Sequence, residues 1–356
     1  MLDQILKDRQ VQAILITDPY NMRHVSGFRG GEGALYISGT QTVLITDSRY
    51  TEAAAKESSF TVLQESNQHK REEILKECIE KEQVQGDFSL GYEDQSMLCC
   101  DFAKLTKALP VQCWVPLESS INDLRQVKTQ EEIQYLKMAE EIGDRAFARL
   151  LPLLKPGMTE LEAAAELEYL MKQEGAEDLS FNTIVASGLN SSMPHAIPGT
   201  KEFEKGDFIT FDFGCKYKGY CSDMTRTVVL GKASDKQKEI YNVVLKAQLA
   251  GLDALKAGKS GASVDKVARD IIADAGYGEY FGHGLGHSVG LFIHENPRLS
   301  PSDDTILQEN MIETVEPGIY VPGLGGVRIE DMVVVTKEGH INLAHSPKEL
   351  IELPVE

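Results

Sequence analysis

Two stretches of this 356-residue chain place acidic side chains among apolar ones in patterns that read as strand, turn, strand. In the first, Asp207 to Thr227, a turn at Tyr217-Lys218 pairs residues whose numbers add to 435, which sets Asp212 opposite Asp223. Directly opposed residues have Cβ atoms ~4.5–5.5 Å apart. Two carboxylates at that distance repel by roughly 3 kcal/mol at an effective dielectric of ~20. In the second, Glu316 to Glu330, a turn around Pro322–Gly325 centres the pairing on Gly323, and Glu316 and Glu330 face each other with numbers adding to 646. The neighbours Phe211, Phe213, Val315, Ile319 and Ile329 argue for burial. Strands disfavour Asp, so either one carboxyl of a pair takes up a proton or a cation sits between them.

Histidines accompany the acids. Phe281-Gly-His283-Gly-Leu-Gly-His287-Ser-Val-Gly-Leu-Phe-Ile-His294 holds three of the eight, surrounded by glycines that allow close backbone approach. His195 precedes the first acidic hairpin in Met193-Pro194-His195. Histidines at spacings of four and seven beside two acid pairs point to a metal-centred site. Two divalent cations would balance four carboxylates. One imidazole with oxygen donors suits Mn2+, Co2+ or Fe2+ better than a thiolate zinc site does. Two such ions ~3.5–4 Å apart can hold a bridging hydroxide and polarise a carbonyl.

The flanking elements repeat. Thr129-x-x-Glu132 is a capping box that opens a long amphipathic helix through Ile133, Leu136, Ile142 and Phe147. Thr159-x-x-Glu162 caps the next helix, which ends at Gly175. Further helices are predicted from about Ser234 to Ala257 and Ser263 to Gly276. Lys155-Pro156-Gly157 is echoed by Lys256-Ala257-Gly258, 101 positions on (155 to 256). Each helix pair precedes a β-rich segment, Phe208–Leu230 or Met311–Thr336. This predicts two related halves with a shared site between their hairpins. The first ~120 residues read instead as a small α/β domain. Val11–Thr17 is a strand ending in a turn at Asp18-Pro19, Ala34–Ile37 and Thr42–Thr46 form a hairpin, and helices follow near Tyr50–Lys56 and Arg71–Glu82. The expected domains are 1–122 and 123–356.

Composition narrows the classes. A net charge of −19 without a Lys/Arg run excludes an electrostatic nucleic-acid surface. No apolar stretch reaches 18 residues, and Met1-Leu2-Asp3-Gln4 lacks a signal design. The six cysteines, Cys78, Cys99, Cys100, Cys113, Cys215 and Cys221, read as reduced buried thiols, so a cytoplasmic location away from membranes is expected.

Between Arg125 and Val335 the chain resembles the pita-bread (M24) metallopeptidases, which include methionine aminopeptidase, aminopeptidase P and prolidase. The likeness extends more loosely to the N-terminal part, for example Thr46-Asp47-Ser48-Arg49-Tyr50. The resemblance implies an α+β architecture: an N-terminal α/β domain of creatinase/prolidase type, then a pita-bread catalytic domain with a pseudo-two-fold internal repeat. All five ligand positions occur in order, and the resemblance makes the ligands Asp212, Asp223, His287, Glu316 and Glu330. Asp212 would bind one metal in bidentate fashion, and Asp223 and Glu330 would bridge both. Glu316 would also shuttle the proton, His195 and His294 would contact substrate and stabilise the tetrahedral intermediate, and His283 would line the proline-side pocket. Arg328 would hold a carboxylate ligand in place. Two divalent ions are implied, Mn2+ foremost, with Co2+, Fe2+ or Zn2+ as alternatives. A homodimer acting on short proline-containing peptides is implied as well.

Within the family, Arg298 matches a position where prolidases carry an arginine that clasps the dipeptide carboxylate, a task suited to a bidentate guanidinium. This favours an Xaa-Pro dipeptidase. The alternatives are an aminopeptidase P acting on longer Xaa-Pro peptides, a methionine aminopeptidase, and a non-catalytic binding module on the same fold. A metal-free relative such as creatinase would lack the full acid set.

Overall fold

A computed structural model describes residues 1–355. The chain divides into two compact units, Met1–Arg125 and Gln126–Glu356. Among the described residues no helix is long and apolar enough to cross a membrane.

The first unit is built on strands β1 (Ala13–Ile16), β2 (Ala34–Ser38), β3 (Thr42–Thr46), β4 (Thr61–Gln64), β5 (Ser89–Tyr92) and β6 (Cys113–Pro116), in the order β4-β3-β2-β1-β5-β6. The run through β1 is apolar throughout because both sheet faces are covered. Ala13 and Leu15 enter one core with Tyr36 and Ile45, and Ile14 and Ile16 enter the other with Leu35 and Leu44. β2 and β3 form the expected antiparallel hairpin. Asp18-Pro19 does more than turn the chain. Asp18 accepts hydrogen bonds from the Tyr20 and Asn21 amides, and Pro19 is the first residue of a helix, Pro19–Ser26. All six cysteines are free, and only Cys78, Cys215 and Cys221 are buried. Cys99, Cys100 and Cys113 face solvent, because the first two open a surface helix and the third lies on the edge strand β6.

In the second unit, helices α1 (Gln130–Leu150) and α2 (Glu160–Gln173) precede strands β7 (Asp178–Leu179), β8 (Ile184–Ser187), β9 (Phe208–Phe213), β10 (Cys215–Tyr217), β11 (Tyr220–Cys221) and β12 (Met224–Leu230). Helices α3 (Asp235–Ala254) and α4 (Gly261–Asp274) precede β13 (Gly286–Ser288), β14 (Glu295–Leu299), β15 (Ile312–Val315), β16 (Gly318–Val321), β17 (Gly325–Arg328) and β18 (Asp331–Val335). Strands β19 (His340–Asn342) and β20 (Ile351–Leu353) finish two sheets, ordered β20-β12-β9-β8 and β14-β13-β15-β18-β19. Both capping boxes form as expected, at Thr129/Glu132 and Thr159/Glu162. The repeat is regular: α2 and α4 each have 14 residues and lie 101 positions apart (160 to 261, 173 to 274). Gly157 and Gly258, at the same offset, both turn the chain with positive φ, 81° and 86°.

The first hairpin departs from its expected register. β9 pairs with β12 through numbers adding to 437 (213 with 224, 212 with 225), as do β10 and β11 (217 with 220). The turn is Lys218-Gly219, with φ of 48° and 72°. A two-residue turn with both central residues at positive φ matches strand twist. Tyr217-Lys218 would have put a ring-bearing residue in the left-handed region. Asp212 therefore faces Thr225, and Asp223 lies diagonally across. The second hairpin keeps the expected register: β15–β18 and β16–β17 both pair numbers adding to 646 (315 with 331, 318 with 328).

Candidate metal centre

Asp223, His287 and Glu330 are all buried and each offer one ligand atom, and these atoms lie within 4.8 Å of one another. His287 Nε2 is 3.4 Å from Asp223 Oδ2 and 3.6 Å from Glu316 Oε1. The fixed tautomer makes this nitrogen available. His287 Nδ1–H donates to the Ser288 carbonyl at 3.1 Å, which leaves the Nε2 lone pair facing the carboxylates. The His287 amide donates to Thr314 Oγ1, whose hydroxyl approaches Glu316 Oε1 at 3.5 Å. Gly286 permits this packing: a Cβ there would lie 1.9 Å from the Thr314 carbonyl oxygen.

Asp212 stands on the same cavity wall, paired with Arg328 at 2.5 Å. Its Oδ1 is buried without a hydrogen-bond partner. Arg328 also donates to the Tyr320 hydroxyl at 2.9 Å and, through Nε, to Thr225 Oγ1 at 3.1 Å. The Thr225 hydroxyl in turn donates to Glu330 Oε2 at 2.6 Å. The Thr225 hydroxyl, on the first hairpin, thus links the Arg328 guanidinium to the Glu330 carboxylate two residues further along the second. Behind Glu330, the buried Arg226 donates to the Glu330 and Ser346 carbonyls and pairs with Asp331 at 2.8 Å. Asp331 also accepts from Gln248, Asn342 and Lys348.

Burial dominates the electrostatics. It pushes Asp223 and Glu330 well above the usual carboxyl range, with the other acids adding to the rise. It pushes Glu316 up to about 8, with Asp212 adding to the rise and Arg328 opposing it. It pushes His287 down to about 3 and His283 down to about 4, so both imidazoles are neutral at physiological pH. A neutral imidazole nitrogen, crowded carboxyl oxygens and an unpartnered Asp212 oxygen form a donor set that fits hard or borderline divalent cations.

All ten side chains singled out in the sequence line one cavity of about 660 Å³: Asp212, Asp223, His287, Glu316, Glu330, His195, His283, His294, Arg298 and Arg328. His294 packs edge-on against His287, with ring centroids 4.7 Å apart. His283 Nε2 lies 2.9 Å from the Tyr320 hydroxyl. Sequence reasoning passed over Tyr320, Thr225 and Thr314. The first stands four residues after Glu316, the second faces Asp212 once the hairpin register is known, and the third lies in β15, two residues before Glu316.

Comparison with known proteins agrees with this arrangement. Residues 1–127 match the creatinase/prolidase N-terminal domain, and residues 134–337 match metallopeptidase family M24. An Xaa-Pro dipeptidase of Pyrococcus horikoshii is 39% identical, with 98% of this chain and 97% of that protein covered. The solved structure of an Xaa-Pro dipeptidase from Bacillus anthracis superposes with a TM-score of 0.95 at 42% identity, covering 99% of this chain and 98% of the other. An X-Pro aminopeptidase from Thermotoga maritima gives 0.91 at 38% identity, covering 99% and 100%. With its amino-terminal unit of creatinase/prolidase type and its acids gathered at the centre of a pita-bread fold, this chain belongs to metallopeptidase family M24.

Proposed function

We propose that this chain is an Xaa-Pro dipeptidase: a metal-dependent exopeptidase that removes the first residue from substrates with proline in second place. The observation that carries the reading is the convergence of all ten side chains on one cavity, in a chain that matches Xaa-Pro dipeptidases over nearly its whole length. Asp212, Asp223, His287, Glu316 and Glu330 would hold two divalent ions, with Mn2+ favoured by the oxygen-rich set. Such ions supply Lewis acidity at the scissile carbonyl and acidify water at the site. The chain's own groups do the rest. Glu316, on the cavity wall beside the other acids, accepts and returns a proton. His195 and His294 donate to oxygen and nitrogen as charge develops there. His283, held by the Tyr320 hydroxyl, walls the proline side. Proline offers no N–H, so that wall needs shape rather than an acceptor. Arg298 clasps the dipeptide carboxylate. The active form is a cytoplasmic homodimer.

One observation favours a second reading, an aminopeptidase for longer Xaa-Pro peptides. A further opening of about 320 Å³, lined by Glu279, Tyr280 and Gly282, shares Pro194, His195, His283 and Tyr320 with the main cavity and leaves room beyond a dipeptide. The test is kcat/KM of the Mn2+-loaded protein on an Xaa-Pro dipeptide and on a matched Xaa-Pro-Yaa tripeptide. Strong preference for the dipeptide is expected, and Arg298→Ala should hurt the dipeptide more. Equal or better cleavage of the tripeptide by the unmodified protein would move the assignment to the aminopeptidase.

A further inference from the structure

We infer that Lys128 is a positioning residue: one buried ammonium ties both ends of the loop that separates His287 from His294 and so sets the spacing of the two imidazoles. The catalytic part of this inference rests on the peptidase reading above. Lys128 Nζ donates to Ser288 Oγ, Glu295 Oε2 and the Gln126 carbonyl, each at 3.2 Å, which uses all three of its protons. Ser288 directly follows His287, and Glu295 directly follows His294. The two are also cross-strand partners in the β13–β14 pairing, at the point where its register shifts. The loop between them is thus closed twice, by the ladder and by the lysine.

The surroundings are shaped to admit this tie. Side-chain exposure is 2% for Lys128 and 4% for Glu295, so the pair is desolvated. A buried ion pair survives only when its remaining hydrogen-bonding capacity is met, and the Phe292 amide meets it by donating to Glu295 Oε1 at 3.2 Å. Gly290 makes way for the carboxylate, since a Cβ there would lie 2.5 Å from Glu295 Oε2. The Ser288 carbonyl, on the residue whose hydroxyl Lys128 holds, is the acceptor that fixes the His287 tautomer.

The repeat supplies an independent parallel. Ser187 occupies the position equivalent to Ser288, 101 residues earlier (187 to 288), and its hydroxyl too is held by a lysine, here together with a carboxylate. Ser187 donates to the buried Glu160 at 2.9 Å through its hydroxyl, and Lys201 donates to Ser187 Oγ at 3.0 Å. Glu160 also accepts from Asn190 and from the Gly199 amide, and so brackets the loop that carries His195. Each half thus anchors its histidine-bearing loop at the same serine.

Lys128→Met strands Glu295 and is expected to unfold the site. The deciding variant is therefore Lys128→Met/Glu295→Gln, which removes both charges, with Lys128→Arg as the conservative rescue. For the double variant loaded with Mn2+, kcat on an Xaa-Pro dipeptide should fall about ten- to a hundredfold while KM stays within about threefold, as expected for misplacement of groups by a fraction of an ångström. Amide exchange over residues 286–296 should quicken about tenfold relative to the remainder of the chain, and Lys128→Arg should recover most of both losses. Wild-type kcat in the double variant, or unchanged exchange in that segment, overturns the inference. If the unmodified protein cleaves neither dipeptide nor tripeptide, the peptidase reading falls, and the exchange over 286–296 then decides the role of Lys128 by itself.

Discussion

In the first half of the carboxy-terminal unit, Asp212 on β9 faces Thr225 on β12; at the matching places of the second half stand Glu316 and Glu330. The match follows from the strands alongside. Ile184 pairs with Asp212, and the Leu285 carbonyl, 101 residues further on (184 to 285), accepts the Glu316 amide. By the same alignment Thr210 corresponds to Thr314, Ala186 to His287, and Asp223 to Arg328. The backbone is therefore used twice, and the chemistry is not. The first half supplies two carboxylates and a hydroxyl. The second supplies two carboxylates, the imidazole and a guanidinium that reaches back to neutralise Asp212. Near-symmetry of the chain fixes where side chains enter the cavity, and asymmetry of sequence decides which of them are donors and which are counter-charges.

If that division holds, Glu330→Gln should be the costliest of these changes, lowering kcat/KM at least about a thousandfold in steady-state assays, since it removes several kcal/mol of transition-state charge stabilisation. A loss below tenfold would mean that Glu330 and its counterpart Thr225 are not functionally distinct. Arg328→Met leaves Asp212 without its counter-charge. Mn2+ affinity by calorimetry should weaken about ten- to a hundredfold, in line with removing a partner that orients a ligand. Thr225→Val cuts the link from Arg328 to Glu330 and should cost about tenfold by the same measurement, at the low end for such partners. A larger loss than Arg328→Met would reverse their ranking.

The smallest effect concerns the metal-free protein. Asp223, Glu316 and Glu330 hold their protons above the ordinary carboxyl range because they are buried. Below about pH 6.5 the buried His283 and His287, neutral in the folded chain and protonated in the unfolded one, oppose this trend, but from there to pH 8 the folded chain retains carboxyl protons that the unfolded chain has released, so stability falls as pH rises through this window. Melting of the metal-free protein should drop by several degrees, about 2–4 °C per kcal/mol, from about pH 6.5 to pH 8, and Mn2+ should restore more at pH 8 than at about pH 6.5. A flat profile would show that the two hairpins do not crowd their acids.

Much of this was legible in the residues. The capping boxes at Thr129 and Thr159 carry their signal within four residues, and the Glu316–Glu330 register follows from a turn rich in Pro and Gly that has few ways to close. The Asp212–Asp223 register was not legible, because it depends on Lys218 accepting a left-handed conformation, which a lysine does not announce. Placing Thr225 in the site needed that register. The start of the helix at Asp18-Pro19 escaped for a related reason: the same dipeptide serves turns and helix caps, and only the following packing distinguishes them. The anchors at Lys128 and Glu160 lie more than a hundred or nearly thirty residues from their serines and leave no local trace.

The clasp around Arg226 also bears on how the protein is made. Glu330 is held from behind by a guanidinium whose other partners are the Ser346 and Pro347 carbonyls and Asp331, and Asp331 is itself held by Lys348. During synthesis these partners emerge from the ribosome more than 200 residues after the amino-terminal unit, which has cores of its own. The nascent chain can therefore fold one unit while its acids remain apart in water. The clasp behind Glu330 can close only once translation has passed Lys348, so the second unit's support for that carboxylate is among the last parts of the chain to be made.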